Sequence, residues 1–299
     1  MTNNKIQRFG HVALVGRPNV GKSTLLNSLI GTHLSIVSPK PQTTRHRIAG
    51  VVTRDDAQLV FLDTPGLHLG AKRALNRQLN RVARQVPDEG DVIVHVVDVR
   101  RWTDEDDHVW AMLANHSVPR LLVVNKVDLE QDKTALLPLA EKLMSGRDYA
   151  GVHFLCARRG DGNKRLLADI AVRLPVGDWQ YADDDITDRS ERFIAAEMIR
   201  EQLMVRLSDE LPYATSVEIE QFVDDKGLAR ISAAIWVERD SQKAIVVGSG
   251  GTVLKSVGSN ARRNMEKLFG RKVFLQLWVK VRENWSDDDA ALKSFGYAE

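Results

Sequence analysis

Gly16-Arg17-Pro18-Asn19-Val20-Gly21-Lys22-Ser23 is the stretch whose reading decides the fold. It has the form G-x-x-x-x-G-K-S. An apolar strand candidate, Val12-Ala13-Leu14-Val15, precedes it. Leu25, Leu26, Leu29 and Ile30 follow on one helical face, with Gly31 as a C-terminal stop. Strand, tight loop and helix N-terminus together make an anion site. Successive backbone N–H groups converge on phosphate oxygens, and the helix dipole adds positive potential. Gly21 permits close backbone approach, Lys22 would reach the β- and γ-phosphates, and the Ser23 hydroxyl would ligate Mg²⁺. Gly16 to Ser23, with Thr24, are therefore the candidate nucleoside-phosphate contacts.

Outward from that loop, the 299 residues leave room for two domains at about 100–200 residues each. Apolar residues make up 43% and charged residues 27%, enough for a sizeable core. A formal net charge of +2 means that any nucleic-acid surface must be local. The lone Cys156 excludes an internal disulfide and suits a reducing cytoplasm. No apolar run approaches the roughly 18 residues of a spanning helix. The polar start, Met1 to Phe9, lacks a signal-peptide core. A soluble, intracellular protein is expected.

Strand candidates near 11–15, 58–62, 92–98, 120–125 and 152–156 alternate with helical patterns near 22–30, 73–86, 104–114, 134–145 and 163–174. That alternation predicts an α/β domain with a mostly parallel sheet and helices on both faces. Its ligand loops lie at the strand C-terminal ends. Three further motifs fall there. In the polar loop Pro41-Gln42-Thr43-Thr44-Arg45 a threonine, Thr44 in preference to Thr43, would close over the γ-phosphate and complete the Mg²⁺ shell. Asp63-Thr64-Pro65-Gly66 ends a strand, so Asp63 would hold Mg²⁺ and the Gly66 N–H would meet the γ-phosphate. In Asn125-Lys126-Val127-Asp128 the Asp128 carboxylate accepts from guanine N1–H and the 2-amino group. Adenine would leave it unpaired, which selects GTP over ATP. Asn125 and Lys126 would fix the loop and flank the base.

A last turn, Cys156-Ala157-Arg158, is expected to bring the Ala157 N–H to the base oxygen, with Cys156 packed and inert rather than a reactive thiol. One residue is missing. Leu67 stands where a glutamine would orient the attacking water, and His68 reads as a surface residue of that loop. Slow intrinsic hydrolysis is expected, with water positioned by backbone, a monovalent cation or a partner. Lys22, Thr44, Asp63 and Gly66 are the candidate catalytic residues, and Ser23, Thr44 and Asp63 the candidate metal ligands.

In the second half the acidic stretch Asp178 to Asp188 reads as a linker. A helix is expected over 190–208, then strands over 215–223 and 228–237. The turn Asp224-Asp225-Lys226-Gly227 separates the two strands. Two helices follow around Gly248-Ser249-Gly250-Gly251, the second running to about Phe269, and then a strand over 273–281. The turn fits G-x-x-G, with which KH domains clamp a single-stranded nucleic-acid backbone. Lys255, Arg262, Arg263 and Lys267 would add backbone attraction. Ile245, Val247, Val253, Leu254 and Val257 are either a floor for bases or core.

The whole chain resembles the Era family of bacterial GTPases. The resemblance rests on Gly16 to Ser23 with Asn19, Gln42-Thr43-Thr44-Arg45, Asp63 to Leu67, Asn125 to Asp128 and Ile186-Thr187-Asp188-Arg189-Ser190. It extends to Leu211-Pro212-Tyr213, Gly248 to Gly251 and Leu277-Trp278-Val279-Lys280-Val281. It implies a P-loop GTPase domain over 1–176, a linker over 177–189 and an α+β type II KH domain with a C-terminal tail over 190–299. It also implies Mg²⁺ with GTP or GDP, and K⁺ as a candidate second cation through Asn19. The implied partners are the 3′ region of 16S ribosomal RNA and the small ribosomal subunit. A monomer in the cytoplasm with peripheral association at the inner membrane is implied as well. Two residues depart from the family pattern: Cys156 replaces a serine, and Gly250 stands where a lysine is usual. Two other functions remain open at this point, an RNA-binding scaffold with nucleotide as a structural ligand and a membrane-associated signalling GTPase whose C-terminal domain contacts protein.

Overall fold

The computed structural model describes residues 7–38, 40, 43–66 and 74–297. Strands and helices alternate through the first half: β1 (Arg8–Val15), α1 (Lys22–Ile30), β2 (Ile48–Thr53), β3 (Ala57–Asp63), α2 (Ala74–Glu89) and β4 (Val92–Asp98). α3 (Asp104–Leu113), β5 (Arg120–Asn125), α4 (Leu136–Met144), β6 (Gly151–Phe154) and α5 (Asn163–Ala171) complete the series. The sheet order is β2-β3-β1-β4-β5-β6, and only β2 runs antiparallel to its neighbour. β3, β4 and β5 are buried along their whole length. That burial explains their near-continuous apolar sequences, as in strands covered on both faces. β1 lies centrally, so its C-terminal end and those of β3 and β5 open on the same rim.

Sequence reasoning did not foresee β2. Its run Ile-Ala-Gly-Val-Val-Thr is interrupted by Gly50, and the packing of α1 explains the glycine. A Cβ at Gly50 would stand 2.3 Å from Ile30 Cδ1 and 2.8 Å from Leu26 Cδ1. The helix expected to stop before Pro87 continues to Glu89. Pro87 has no N–H to give the carbonyl of Ala83, so the last turn of α2 forms without that backbone hydrogen bond. The stretch 177–189, expected as a linker, is tied along the first unit through residues 177–186. Gly177 N–H donates to Gln7 O at 3.2 Å, Val51 N–H to Ile186 O at 2.9 Å, and Gln58 Oε1 accepts from the Gln180 and Tyr181 N–H groups at 3.0 Å each. Trp179 and Tyr181 pack on the core cluster that includes Phe9, Val60 and Leu62.

Contacts divide the chain into two units, one of Met1–Ser35, Thr44–Gly70 and Leu79–Asp188, the other of Ile36–Thr43, Ala71–Gln78 and Arg189–Glu299. The second contains α6 (Glu191–Arg206), β7 (Ser216–Asp225), β8 (Leu228–Val237), α7 (Asp240–Val247), α8 (Thr252–Phe269), β9 (Lys272–Val281) and α9 (Asp289–Ser294). Ser190 caps α6 by accepting from Phe193 N–H at 3.3 Å. The sheet order is β7-β8-β9, antiparallel then parallel. Helices pack on one face, closely enough that a Cβ at Gly258 of α8 would lie 3.3 Å from Leu277 Cδ1 of β9. Within this unit the Glu197 carboxylate takes a two-point grip from Arg200 at 2.7 Å per bond, both residues buried. The tail, foreseen without structure, forms α9. Trp285 lies fully buried beside Phe295 and Tyr297, its Nε1 donating to Ala214 O at 3.2 Å.

Candidate nucleotide site and nucleic-acid turn

β1 ends at Val15 and the chain turns through Gly16 to Gly21 into α1. Asn19 and Gly21 both adopt left-handed backbone, φ 61° and 103°. At Gly21 a side chain is excluded twice over, because a Cβ would stand 2.4 Å from Asn125 Nδ2. Lys22 begins α1 and folds back over the loop, its Nζ donating to Gly16 O at 2.8 Å and Arg17 O at 3.1 Å. Burial pulls the Lys22 ammonium down to about 8, opposed by the Asp63 carboxylate. An anion placed in the loop would reverse that shift by restoring a counter-charge.

The Ser23 and Thr44 hydroxyls lie 2.9 Å apart. Beside them Asp63, at the end of β3, is fully buried. Its Oδ2 accepts from Ser35 Oγ at 2.8 Å, while its buried Oδ1 has no hydrogen-bond partner among the described residues. Burial pushes this carboxyl above the usual range, against the Ser23 hydroxyl, the Lys22 ammonium and the Ser35 hydroxyl. An orphaned buried carboxylate oxygen next to two hydroxyls fits a hard cation that binds few protein oxygens and keeps its waters. Among the described residues no group of three or more His, Cys, Asp or Glu could hold a metal ion. Gly66 closes the group. A Cβ there would come within 2.9 Å of Pro18 N and Cα, so only glycine lets this strand end meet the phosphate loop. Pro41, Gln42, Leu67 and His68 lie outside the described residues.

The turn Asn125 to Asp128, expected to read guanine, follows β5. Asn125, expected to fix the loop and flank the base, braces this turn: its Nδ2 donates to Val20 O at 2.8 Å, and its Oδ1 accepts from Lys126 N–H at 2.7 Å and Ala157 N–H at 3.0 Å. Ala157, expected to offer its N–H to the base oxygen, thus has that donor directed at Asn125. A contact to a base oxygen would share it. Lys126 takes a left-handed φ of 64° and sends its Nζ to Asn19 O at 2.6 Å and Asp98 Oδ2 at 2.9 Å. Asp98, at the end of β4, was not foreseen. Its burial is outweighed by hydrogen bonds from Arg100 and Lys126, which hold the carboxyl far below its usual range. A strand-end aspartate two residues before Arg100 was its only sequence signal. Asp128 is exposed, and the Cys156 thiol beside it leads the effects that hold its carboxyl low. The thiol itself is buried, and burial followed by Asp128 pushes it up, so it is packed rather than activated.

In the second unit α7 and α8 are joined by Gly248 to Gly251. Gly248, Gly250 and Gly251 have φ of 74°, 57° and 78°, and Gly251 N–H closes the turn on Gly248 O at 3.0 Å. A Cβ at Gly250 or Gly251 would meet nothing within 4 Å, so both backbones face open space. Ser249, Lys255, Arg263 and Lys267 are exposed, whereas Arg262 is half-buried and paired with Glu266 at 3.0 Å. Of the apolar residues around the turn, Val257 is core and Ile245 stands 57% exposed, while Val247, Val253 and Leu254 are half-buried. Ile245 is thus part of a surface, not of the core.

These geometries agree with what the chain is similar to. A family described as 50S ribosome-binding GTPase matches residues 11–126, and one described as KH domain matches residues 210–286. GTPase Era of Xanthomonas campestris pv. campestris is 53% identical over 297 residues, covering 99% of this chain and 100% of the relative. GTPase Era of Stenotrophomonas maltophilia is likewise 53% identical with the same coverage. A crystal structure of Era in complex with MgGDPNP and nucleotides 1506–1542 of 16S ribosomal RNA superposes with a TM-score of 0.94. Its sequence is 35% identical, with 98% of this chain and 100% of that one covered. An Aquifex aeolicus Era variant bound to GDP and AlF₄⁻ gives the same figures. The fold is a P-loop GTPase domain followed by a KH domain, and the chain belongs to the Era family of GTPases.

Proposed function

We propose that this protein hydrolyses GTP at the Gly16–Ser23 loop and uses Gly248 to Gly251 to grip RNA near the 3′ end of the small-subunit ribosomal RNA, acting in maturation of that subunit. The observation that carries the nucleotide half is the buried, orphaned Asp63 Oδ1 beside the Ser23 and Thr44 hydroxyls. The RNA half is supported by the open glycine turn and by the 16S ribosomal RNA segment bound to the Era of 0.94 TM-score.

In this reading Gly16 to Thr24 receive the phosphates. Lys22 neutralises the β- and γ-phosphate oxygens, exchanging its loop carbonyls for them. Ser23, Thr44 and Asp63 would hold Mg²⁺, which supplies charge neutralisation at the bridging oxygens. Gly66 N–H meets the γ-phosphate. Asp128 accepts from guanine N1–H and the 2-amino group, held in place by Cys156, while Asn125, Lys126 and Ala157 brace the turn around the base. Asn19, left-handed within the loop, is proposed to help seat K⁺ where a water-orienting glutamine is missing. Residues 1–176 carry the nucleotide chemistry, 177–189 run on from them, and 190–299 carry RNA through Gly248, Ser249, Gly250, Gly251, Lys255, Arg262 and Arg263. We propose further that the protein is a monomer with peripheral association at the cytoplasmic face of the membrane. No helix among the described residues is long and apolar enough to cross one.

Crosslinking the protein to RNA in cells and mapping the contacts tests the reading. Reads concentrated at the 3′ end of the small-subunit RNA, lost on Lys22→Ala or on substitution of the glycine turn, are expected. Contacts spread evenly over cellular RNA would overturn it.

A further inference from the structure

The phosphate loop is held from outside at three of its residues. Two ties come from the guanine-reading turn, Asn125 Nδ2 to Val20 O at 2.8 Å and Lys126 Nζ to Asn19 O at 2.6 Å. The third comes from α3. Arg17 Nε donates to Asp106 Oδ2 at 3.0 Å, with Arg17 7% and Asp106 0% exposed. The same oxygen accepts from the Thr103 N–H and hydroxyl at 2.9 Å each, which closes the capping box that starts α3. Arg17 in turn lends its carbonyl to Lys22 Nζ. A continuous polar path therefore runs from the first turn of α3 to the lysine of the loop.

We propose that Asp106 is a positioning residue for nucleotide binding: it anchors the Arg17 side chain and so fixes the loop backbone that receives the phosphates and on which Lys22 rests before they arrive. Asp106 itself touches no phosphate. The physical reason is the burial of the pair. A guanidinium withdrawn from water stays where its counter-charge holds it, and without the carboxylate it must leave the site and pull its backbone along. The charges of the pair act on Lys22 in opposite directions, Arg17 pulling its pKa down and Asp106 pulling it up. The influence on the loop is thus geometric more than electrostatic. α3 also begins only six residues after Asp98, which takes the other tie from Lys126. The end of β4 and the start of α3 thereby brace the loop from one side.

A helix cap alone would stabilise the fold without touching nucleotide affinity, and the experiment separates the two. In the full chain Asp106→Asn, Arg17→Gln and the double variant are compared with Thr103→Ala, which removes a capping bond and leaves the ion pair. Release of fluorescent GDP and GTP analogues is measured well below the melting temperature, together with KM, kcat and the melting temperature itself. Each single variant should release both nucleotides about tenfold faster and raise KM in proportion, with kcat within about twofold of the parent. The double variant should be no worse than the poorer single, the mark of one shared interaction. Thr103→Ala should lower the melting temperature and keep parental release rates. Parental release from Asp106→Asn and Arg17→Gln, with melting alone affected, overturns the proposal. So does strict additivity in the double variant.

Discussion

Asp128 shows how much a single exposed carboxylate can decide. It projects from the turn after β5 with the Cys156 thiol against it and its charge held on. An ionised carboxylate pairs with two guanine donors, whereas an amide there would present a donor of its own. Asp128→Asn should therefore move preference toward xanthine nucleotides, in which an oxo group replaces the 2-amino group. The discrimination is on the order of 10⁴-fold, as when a polar site meets an analogue lacking its partner. Competition between guanine and xanthine nucleotides checks it, and unchanged guanine selectivity would show that the base is read elsewhere. Gly66 is decided by space rather than charge. Because a Cβ would press within 2.9 Å of Pro18 N and Cα, Gly66→Ala must push the strand end away from the phosphate loop. Hydrolysis should fall by roughly tenfold or more, as misplacement by about 1 Å commonly costs a catalyst, while GDP affinity stays near the parent value. Parental turnover would mean that the approach of Gly66 is incidental.

At the scale of elements β4 carries both structure and a latent pH response. His95 lies fully buried in the middle of the sheet, its Nδ1 2.7 Å from Tyr149 Oη and its ring edge-on to Trp102. Burial, with Arg147 and Lys22 nearby, pulls it down to about 3. The unfolded chain binds a proton near 6.5 that the folded chain refuses. Stability is thus full above that pH and falls as the pH drops toward 3. His95→Phe should flatten the fall in melting temperature between about pH 6 and 4, whatever it does to stability at neutral pH. An unchanged slope would assign the acid response to other groups. The same strand shows what was legible in sequence. Val92 to Asp98 reads as a buried strand because its apolar run is nearly unbroken, and the phosphate and base motifs announce themselves because their spacing has chemical meaning. β2 was hidden because Gly50 answers to a helix packed against it, and the strap 177–188 because acidic turn residues look alike whether free or tied down. Arg17–Asp106 lay beyond reach for another reason. Nothing in the spacing of two residues 89 apart says that they meet.

For the molecule as a whole, the proposed function places separate chemistries in separate glycine turns, one closed around Lys22 and one open to solvent. The open one can be tested without disturbing the other. Gly251 is left-handed and stands at the N-cap of α8, with nothing within 4 Å of a Cβ. Aspartate is among the residues that tolerate left-handed backbone, and its charge suits a helix N-terminus. Gly251→Asp should therefore fold. Facing RNA, however, it sets a negative charge against phosphate, so RNA affinity should be lost while basal GTP hydrolysis stays near the parental rate. Gly250→Lys acts in the opposite sense. The left-handed φ of 57° costs about 1 kcal/mol for a residue with a Cβ, against a phosphate contact that adds about one charge to the salt slope. That strain is present with and without RNA, so it lowers stability and leaves affinity to the new contact: affinity should rise at low salt, and as salt screens the contact the two proteins should converge. RNA binding measured across a salt series for the parent and both variants checks this. If Gly251→Asp binds as the parent does, the turn is only a connection between helices and the RNA surface lies elsewhere.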